Sequence, residues 1–229
     1  MDQTHSVSEK IKTEEDVVEE LDLSWESLTA LPSLPSELKE LDCRNNQLTA
    51  LASLPSGLKK LNCNYNELAI LPSLPSGLEV LYCGGNQLTV LPSLPHGLKE
   101  LHCWGNKLTA LPSLPSGLEE LYCHGNQLTT FPPLPNGLKK LDCPFNQLIA
   151  LPSLPSGLEI LYCQGNHLIA LPPLPPKLKW LECYHNYLTS LPFLSYGLTM
   201  LSCYGNQLKY KGETLEEIRK EQEEGLNKL

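Results

Sequence analysis

Phenylalanine and methionine are scarce in this chain, at three and two residues in 229. A core of mixed shapes usually draws on Phe, Ile and Val. Their thinness beside a great excess of leucine points to one structural unit repeated rather than to an irregular core. No run of 18 apolar residues occurs, so no membrane-spanning helix is expected. The opening MDQTHSVSEKIKTEED lacks the apolar stretch of a cleaved signal peptide. Clustered basic residues are missing as well. Net charge is −9, with ten acids and two bases in residues 1–37, ten of each in 38–208, and six and five in 209–229. A neutral middle with an acidic end argues against a phosphate-tracking surface, so no nucleic-acid partner is expected. Motifs that would carry chemistry are also absent: no G-x-S-x-G, no H-E-x-x-H and no phosphate-loop glycine pattern. No C-x-x-C pair has zinc spacing, so no catalytic residue, metal or cofactor is assigned.

What is present is a period of twenty. From Leu38 onward nine rows superimpose without a gap on L-x-x-L-x-C-x-x-N-x-L-x-x-L-x-x-L. The first runs Leu38, Leu41, Cys43, Asn46, Leu48, Leu51, Leu54, and the last Leu198, Leu201, Cys203, Asn206, Leu208. A degenerate unit precedes them, with Val18, Leu21, Leu23, Leu28 and Leu31, and Glu26 where Asn would stand. The L-x-C alternation predicts a short strand with Leu and Cys inward. Two prolines three apart in LPSLPS exclude helix and favour polyproline II. The glycine that follows (Gly57, Gly77, Gly97, Gly117, Gly137, Gly157, Gly197) suits a turn with positive φ, although Glu37 and Lys177 stand at the same place. One unit cannot bury its own leucines, whereas stacked units can. Ten parallel strands about 4.8 Å apart then make a face about 45 Å long. Strands lie closer together than the opposite side, so the stack is expected to bend with the strands on its concave face.

The pattern L-x-x-L-x-C-x-x-N-x-L resembles the leucine-rich-repeat signature over about residues 18–210. Its twenty-residue length and LPxLPxxL segment resemble the short repeats of secreted bacterial effectors. Similar Cys-containing repeats also resemble those of giant viruses and amoeba-associated bacteria. The resemblance implies a solenoid with a curved parallel sheet, extended segments on the convex side and short helical caps. It departs from the effector pattern in three ways. Cys replaces the commoner aliphatic residue, the N-terminal segment is short, and no ligase domain follows Tyr210, so no ligase activity is expected of this chain itself.

Three segments follow: an acidic N-terminal cap over 1–17, repeats over 18–210 and a capping helix or tail over 211–229. Thr13 with Asp16 resembles a capping box, with Val17 as its apolar contact. Thr214 with Glu217 is a clearer one, and Leu215 and Ile218 share a helical face, so a helix over about 214–224 is expected to cover the last unit. The thiols of Cys43, Cys63, Cys83, Cys103, Cys123, Cys143, Cys163, Cys183 and Cys203 are read as small buried hydrophobes rather than ligands or disulfides, which implies a reducing, cytoplasmic compartment, of the producing cell or of a host after secretion. Asn46, Asn66, Asn86, Asn106, Asn126, Asn146, Asn166, Asn186 and Asn206 are read as a structural ladder bonding neighbouring backbone. A charge column two residues before each inward strand Leu (from Glu19 and Lys39 to Lys179) is read as register-setting ion pairs.

Outward strand positions carry the functional expectation. Two groups emerge: Tyr82, His102, Trp104, Tyr122 and His124, and then Ile160, Tyr162, Trp180, Tyr184, Met200 and Tyr204. Leucines already fill the interior, so these side chains are expected in water, with the composition of interface hot spots. The alternative is that they only stabilise cross-strand contacts. The leading function is a monomeric protein-binding module, effector-like in a host cell. Carbohydrate binding (rings with Asp42, Asp142 or Glu182), substrate recognition for a ubiquitin ligase on another chain, and a purely structural role are the other readings. His102 and His124 also suggest pH-sensitive binding.

Overall fold

The computed structural model describes residues 18–209 and 214–226, so the expected N-terminal cap over 1–17 lies outside them. Ten three-residue strands form one parallel sheet in strictly sequential order. They run from β1 (Glu20–Asp22), β2 (Glu40–Asp42), β3 (Lys60–Asn62), β4 (Val80–Tyr82) and β5 (Glu100–His102) to β6 (Glu120–Tyr122), β7 (Lys140–Asp142), β8 (Ile160–Tyr162), β9 (Trp180–Glu182) and β10 (Met200–Ser202). Every residue pairs with the one twenty positions away, as in Leu101↔Leu121. Backbone bonding continues past the strands at both ends. Cys103 N–H donates to Tyr122 O at 2.8 Å and Gly105 N–H to His124 O at 2.8 Å, while Lys99 O accepts from both Glu119 and Glu120.

The core is the repeat's own alphabet. Leu98, Leu101, Cys103 and Leu108 are fully buried, as are their counterparts in the units around them. All nine cysteines are free thiols; Cys43 through Cys183 are buried and Cys203, in the last unit, is partly exposed. Burial in leucine raises the thiol pKa throughout, to about 12 for Cys43 and Cys103.

Each asparagine closes a joint between units. Asn126 Nδ2 donates to Cys103 O and Cys123 O, both at 3.0 Å, and its Oδ1 accepts from Leu108 N–H at 3.0 Å. Leu108 N–H would otherwise be buried without a partner, and each carbonyl is shared by two successive asparagines, Cys103 O by Asn106 and Asn126 and Cys123 O by Asn126 and Asn146, which is why the position recurs.

The glycines of the LPSG segment do not take the expected conformation. Leu58 N–H donates to Pro55 O at 3.1 Å, closing a turn in which Gly57 lies outside the positive-φ region. A type I turn tolerates side chains there, which accounts for Glu37 and Lys177. The left-handed residue instead precedes each asparagine. It is Gly85, Gly105, Gly125, Gly165 and Gly205 in five units, and Asn45, Tyr65, Phe145 and His185 in four others, at φ between 52° and 55°. A side chain with Cβ costs about 1–2 kcal/mol in that region.

At the C-terminal end α1 (Leu215–Leu226) forms as expected, starting one residue later and ending two residues later than the sequence predicts. Thr214 and Glu217 make a reciprocal capping box, 3.0 and 3.2 Å. Ile218 is 2% exposed and joins the core. Arg219 donates to Ser195 O and Leu198 O, and Gln222 to Leu191 O and Pro192 O. The helix therefore seals the proline-rich segment of the last full unit.

Candidate binding face

Three residues per unit reach the strand face: the two flanking the inward strand Leu, and the one after Cys. All eleven side chains expected there lie on it. Their exposure differs from expectation. Trp180, Met200 and Tyr204 are 42%, 45% and 60% exposed, but Tyr82, His102, Trp104, Tyr122, His124, Ile160, Tyr162 and Tyr184 are half-buried. The reason is that rings twenty residues apart stand about one strand spacing from each other, so they cover one another's faces.

The first group resolves into two parallel lines. In one, His102 lies between Tyr82 and Tyr122 with ring centroids 4.2 and 4.1 Å away. Tyr82 Oη donates to Glu100 at 2.7 Å and Tyr122 Oη to Glu120 at 2.9 Å. Burial, then those carboxylates, push both phenol pKa values up. Burial pulls the His102 pKa down, against the opposing pull of Glu100 and Glu120. Its Nε2 is shut from solvent with no hydrogen-bond partner. In the other line Trp104 stacks on His124, centroids 5.6 Å apart and ring planes nearly parallel, and His124 Nδ1 meets Asp142 at 2.9 Å. Trp104 covers Gly84, where an added Cβ would stand 2.3 Å from the indole.

The second group is looser. Tyr184 and Tyr204 stack at 4.6 Å, and Ile160, Trp180 and Met200 are register neighbours in β8, β9 and β10. Lys140 Nζ sits between the rings of Tyr122 and Tyr162, at 4.5 and 5.6 Å, joining the two groups.

Sequence reasoning missed the left-handed aromatic residues. The Tyr65 ring meets Trp104 edge-on at 5.0 Å and lies over Gly85, where a Cβ would stand 2.9 Å from it. Phe145 and His185 lie over Gly165 and Gly205 in the same way. The signal is in the sequence: in one column Tyr65, Phe145 and His185 are each followed twenty residues on by a glycine, so each ring covers a bare backbone. Glu100, Glu120 and Lys140 open β5, β6 and β7 on the same face, where nothing within a single repeat distinguishes them from ordinary surface charges.

On the flank the expected charge row forms in groups. Glu79 bridges Lys59 and Lys99 at 3.4 and 2.7 Å, and Glu119–Lys139 and Glu159–Lys179 pair at 2.5 and 2.6 Å. Near β1 and β2 the strand face holds a hollow of about 320 Å³ lined by Glu20, Leu21, Asp22, Glu40, Leu41, Asp42, Lys60 and Asn62. Among the described residues no cluster of three or more His, Cys, Asp or Glu is placed to hold a metal ion, and no helix is long and apolar enough to cross a membrane.

Models of leucine-rich repeats match residues 37–61 and, as a two-copy repeat, 96–136. Comparison with curated protein sequences returns no match. Among solved structures, YopM from Yersinia enterocolitica is similar at 41% identity and a TM-score of 0.79, over 80% of this chain and 41% of YopM. A Shigella effector leucine-rich-repeat domain is similar at 35% identity and a TM-score of 0.59, over 66% of this chain and 67% of that domain. InlJ from Listeria monocytogenes, described as including a cysteine ladder, shares the fold at 24% identity and a TM-score of 0.67, over 87% of this chain and 51% of that one. The chain thus spans about two fifths of YopM's length.

Proposed function

For a chain that belongs to the leucine-rich-repeat family, we propose that the strand face is a non-catalytic binding surface for a protein partner. One observation carries this reading. A rigid sheet gathers stacked rings along its middle and leaves Trp180, Met200 and Tyr204 exposed together at one end. Large aromatic and thioether side chains on a preformed surface lose little conformational entropy on binding, which is the character of interface anchors. The likeness to Yersinia and Shigella effector proteins favours an effector-like role. Eight buried free thiols suit a reducing cytoplasm, that of the producing cell or of a host. The protein acts as a monomer. Carbohydrate binding is less well supported, because a sugar stacks on an open ring face and the Tyr82–His102–Tyr122 column closes its inner faces on itself.

The test is affinity capture from host-cell lysate with wild type and Trp104→Ala/Trp180→Ala, with unchanged far-UV circular dichroism as the folding control. Loss of the two rings is expected to weaken partner binding by roughly 2–4 kcal/mol. Recovery of the same partners by the double variant in undiminished amount refutes the reading.

A further inference from the structure

The strand face carries a charge that the rest of the repeat domain does not. In residues 18–208 its three outward columns hold eight carboxylates against Arg44, Lys60 and Lys140, while all remaining positions hold seven acids and seven bases. The negative excess of the domain therefore lies on the face that also holds the rings.

Much of it is arranged as like-charge neighbours. Glu20 pairs in register with Glu40, Asp22 with Asp42, and Glu100 with Glu120. Residues directly opposite on adjacent strands stand about 5 Å apart, and like charges there are destabilising. At the first site Arg44 and Lys60 relieve part of the repulsion, at 3.6 Å from Asp42 and 3.7 Å from Glu40. At the second, among the described residues, neither Glu100 nor Glu120 has a cationic side chain within ion-pairing distance. Lys140, the next residue in that column, turns to the Tyr122 and Tyr162 rings instead. Each carboxylate is held by a tyrosine hydroxyl, and between them stands His102 with an unpaired, enclosed Nε2. Two adjacent carboxylates, each oriented by a tyrosine hydroxyl, thus place two negative charges side by side on the ring-bearing face.

We propose that the Glu100–Glu120 pair, with Tyr82 and Tyr122, receives an arginine side chain from an extended basic segment of a protein partner, rather than a segment rich in lysine or acid. A planar guanidinium presents donors in a fork that can bridge both carboxylates, while its methylenes lie along the ring edges. A compact ammonium reaches one carboxylate at a time. The Glu20–Asp42 hollow lies four units away, about 19 Å at one strand spacing per unit, and takes a second cationic residue about six extended positions along the same segment.

This inference rests on the partner-binding reading and names the chemistry of the partner. It is tested with fluorescein-labelled twelve-residue glycine–serine peptides bearing arginine pairs six residues apart, with lysine and glutamate versions, by fluorescence anisotropy on the full chain. The arginine peptide is expected to bind the wild type, the lysine peptide several-fold more weakly and the glutamate peptide not at all. Glu100→Gln/Glu120→Gln is expected to lose at least tenfold in affinity. It also melts no lower than wild type, since the tyrosine hydrogen bonds survive and the repulsion is gone. A control with the same charge change off the face, Glu37→Gln/Glu67→Gln, changes binding less than twofold. Wild type that ignores the arginine peptide to millimolar concentration, or equal losses in the two Gln variants, overturns the arginine assignment. The Trp104→Ala/Trp180→Ala capture separately decides whether the face binds a partner at all.

Discussion

Raising the pH from 8 to 10 under reducing conditions is expected to unfold the repeat domain by titrating its spine. The thiols of Cys43 through Cys183 are buried. Burial pushes Cys43 and Cys103 up to about 12 and the other six well above the ordinary value of 9.0. The native state holds these protons while the unfolded chain releases them above pH 9. Stability is therefore whole below that pH and falls as pH climbs toward the native pKa values. At pH 10 each such thiol has removed about 1.4 kcal/mol, and eight remove about 11 kcal/mol. A domain's total stability is about 5–15 kcal/mol, so the midpoint belongs near or just above pH 10. Tyr82 and Tyr122, also raised, add the same sign from pH 10 upward. Thiolate absorption followed alongside circular dichroism reads both events. Partly exposed Cys203 should titrate first and alone, and the remaining thiols together with loss of structure. Thiolate absorption from several cysteines near pH 9 with the fold intact would refute the buried spine.

Two other perturbations test the joints. Asn126→Ala strands the buried Leu108 N–H, while the Cys103 and Cys123 carbonyls keep the side-chain amides of Asn106 and Asn146, and is expected to cost roughly 1–3 kcal/mol in urea unfolding; a loss below about 0.5 kcal/mol contradicts the ladder. Gly97→Ala, with nothing within 4 Å of the new Cβ and no positive φ, is expected to be neutral or stabilising by about 0.4–1 kcal/mol. Gly105→Ala, at φ 59°, should instead destabilise by about 1–2 kcal/mol, and similar melting temperatures for the two would show that the left-handed position is misplaced.

How much of this could be read from the chain depended on whether a feature repeats. Leu101, Cys103, Asn106 and Leu108 recur at one spacing, so strand, core and joint were legible from periodicity alone, and so was the Thr214–Glu217 cap. The turn glycine was misread because Gly57 sits beside prolines, where a positive φ is a reasonable expectation. The sequence holds the better clue at Gly85 and Gly105, whose column mixes glycine with Tyr65 and Phe145. Exposure failed for a different reason. That Trp104 reaches the outer face follows from parity along the strand. That His124 covers it depends on side-chain size in the next unit, and a column must be read along the stack to see it. The Glu100 and Glu120 pair was hidden the same way, since each looks like an ordinary surface acid within its own row.

The asparagine joint reaches only one unit back, and every joint makes the same bonds. A cut between any two coils therefore meets an identical seam, and a twenty-residue cassette could be duplicated, removed or transposed without re-inventing the interior. What such an edit rewrites is the order of the three outward letters each coil displays. Inheritance at this locus can shuffle the lettering of the face faster than point substitution, while the leucine and thiol spine stays the same.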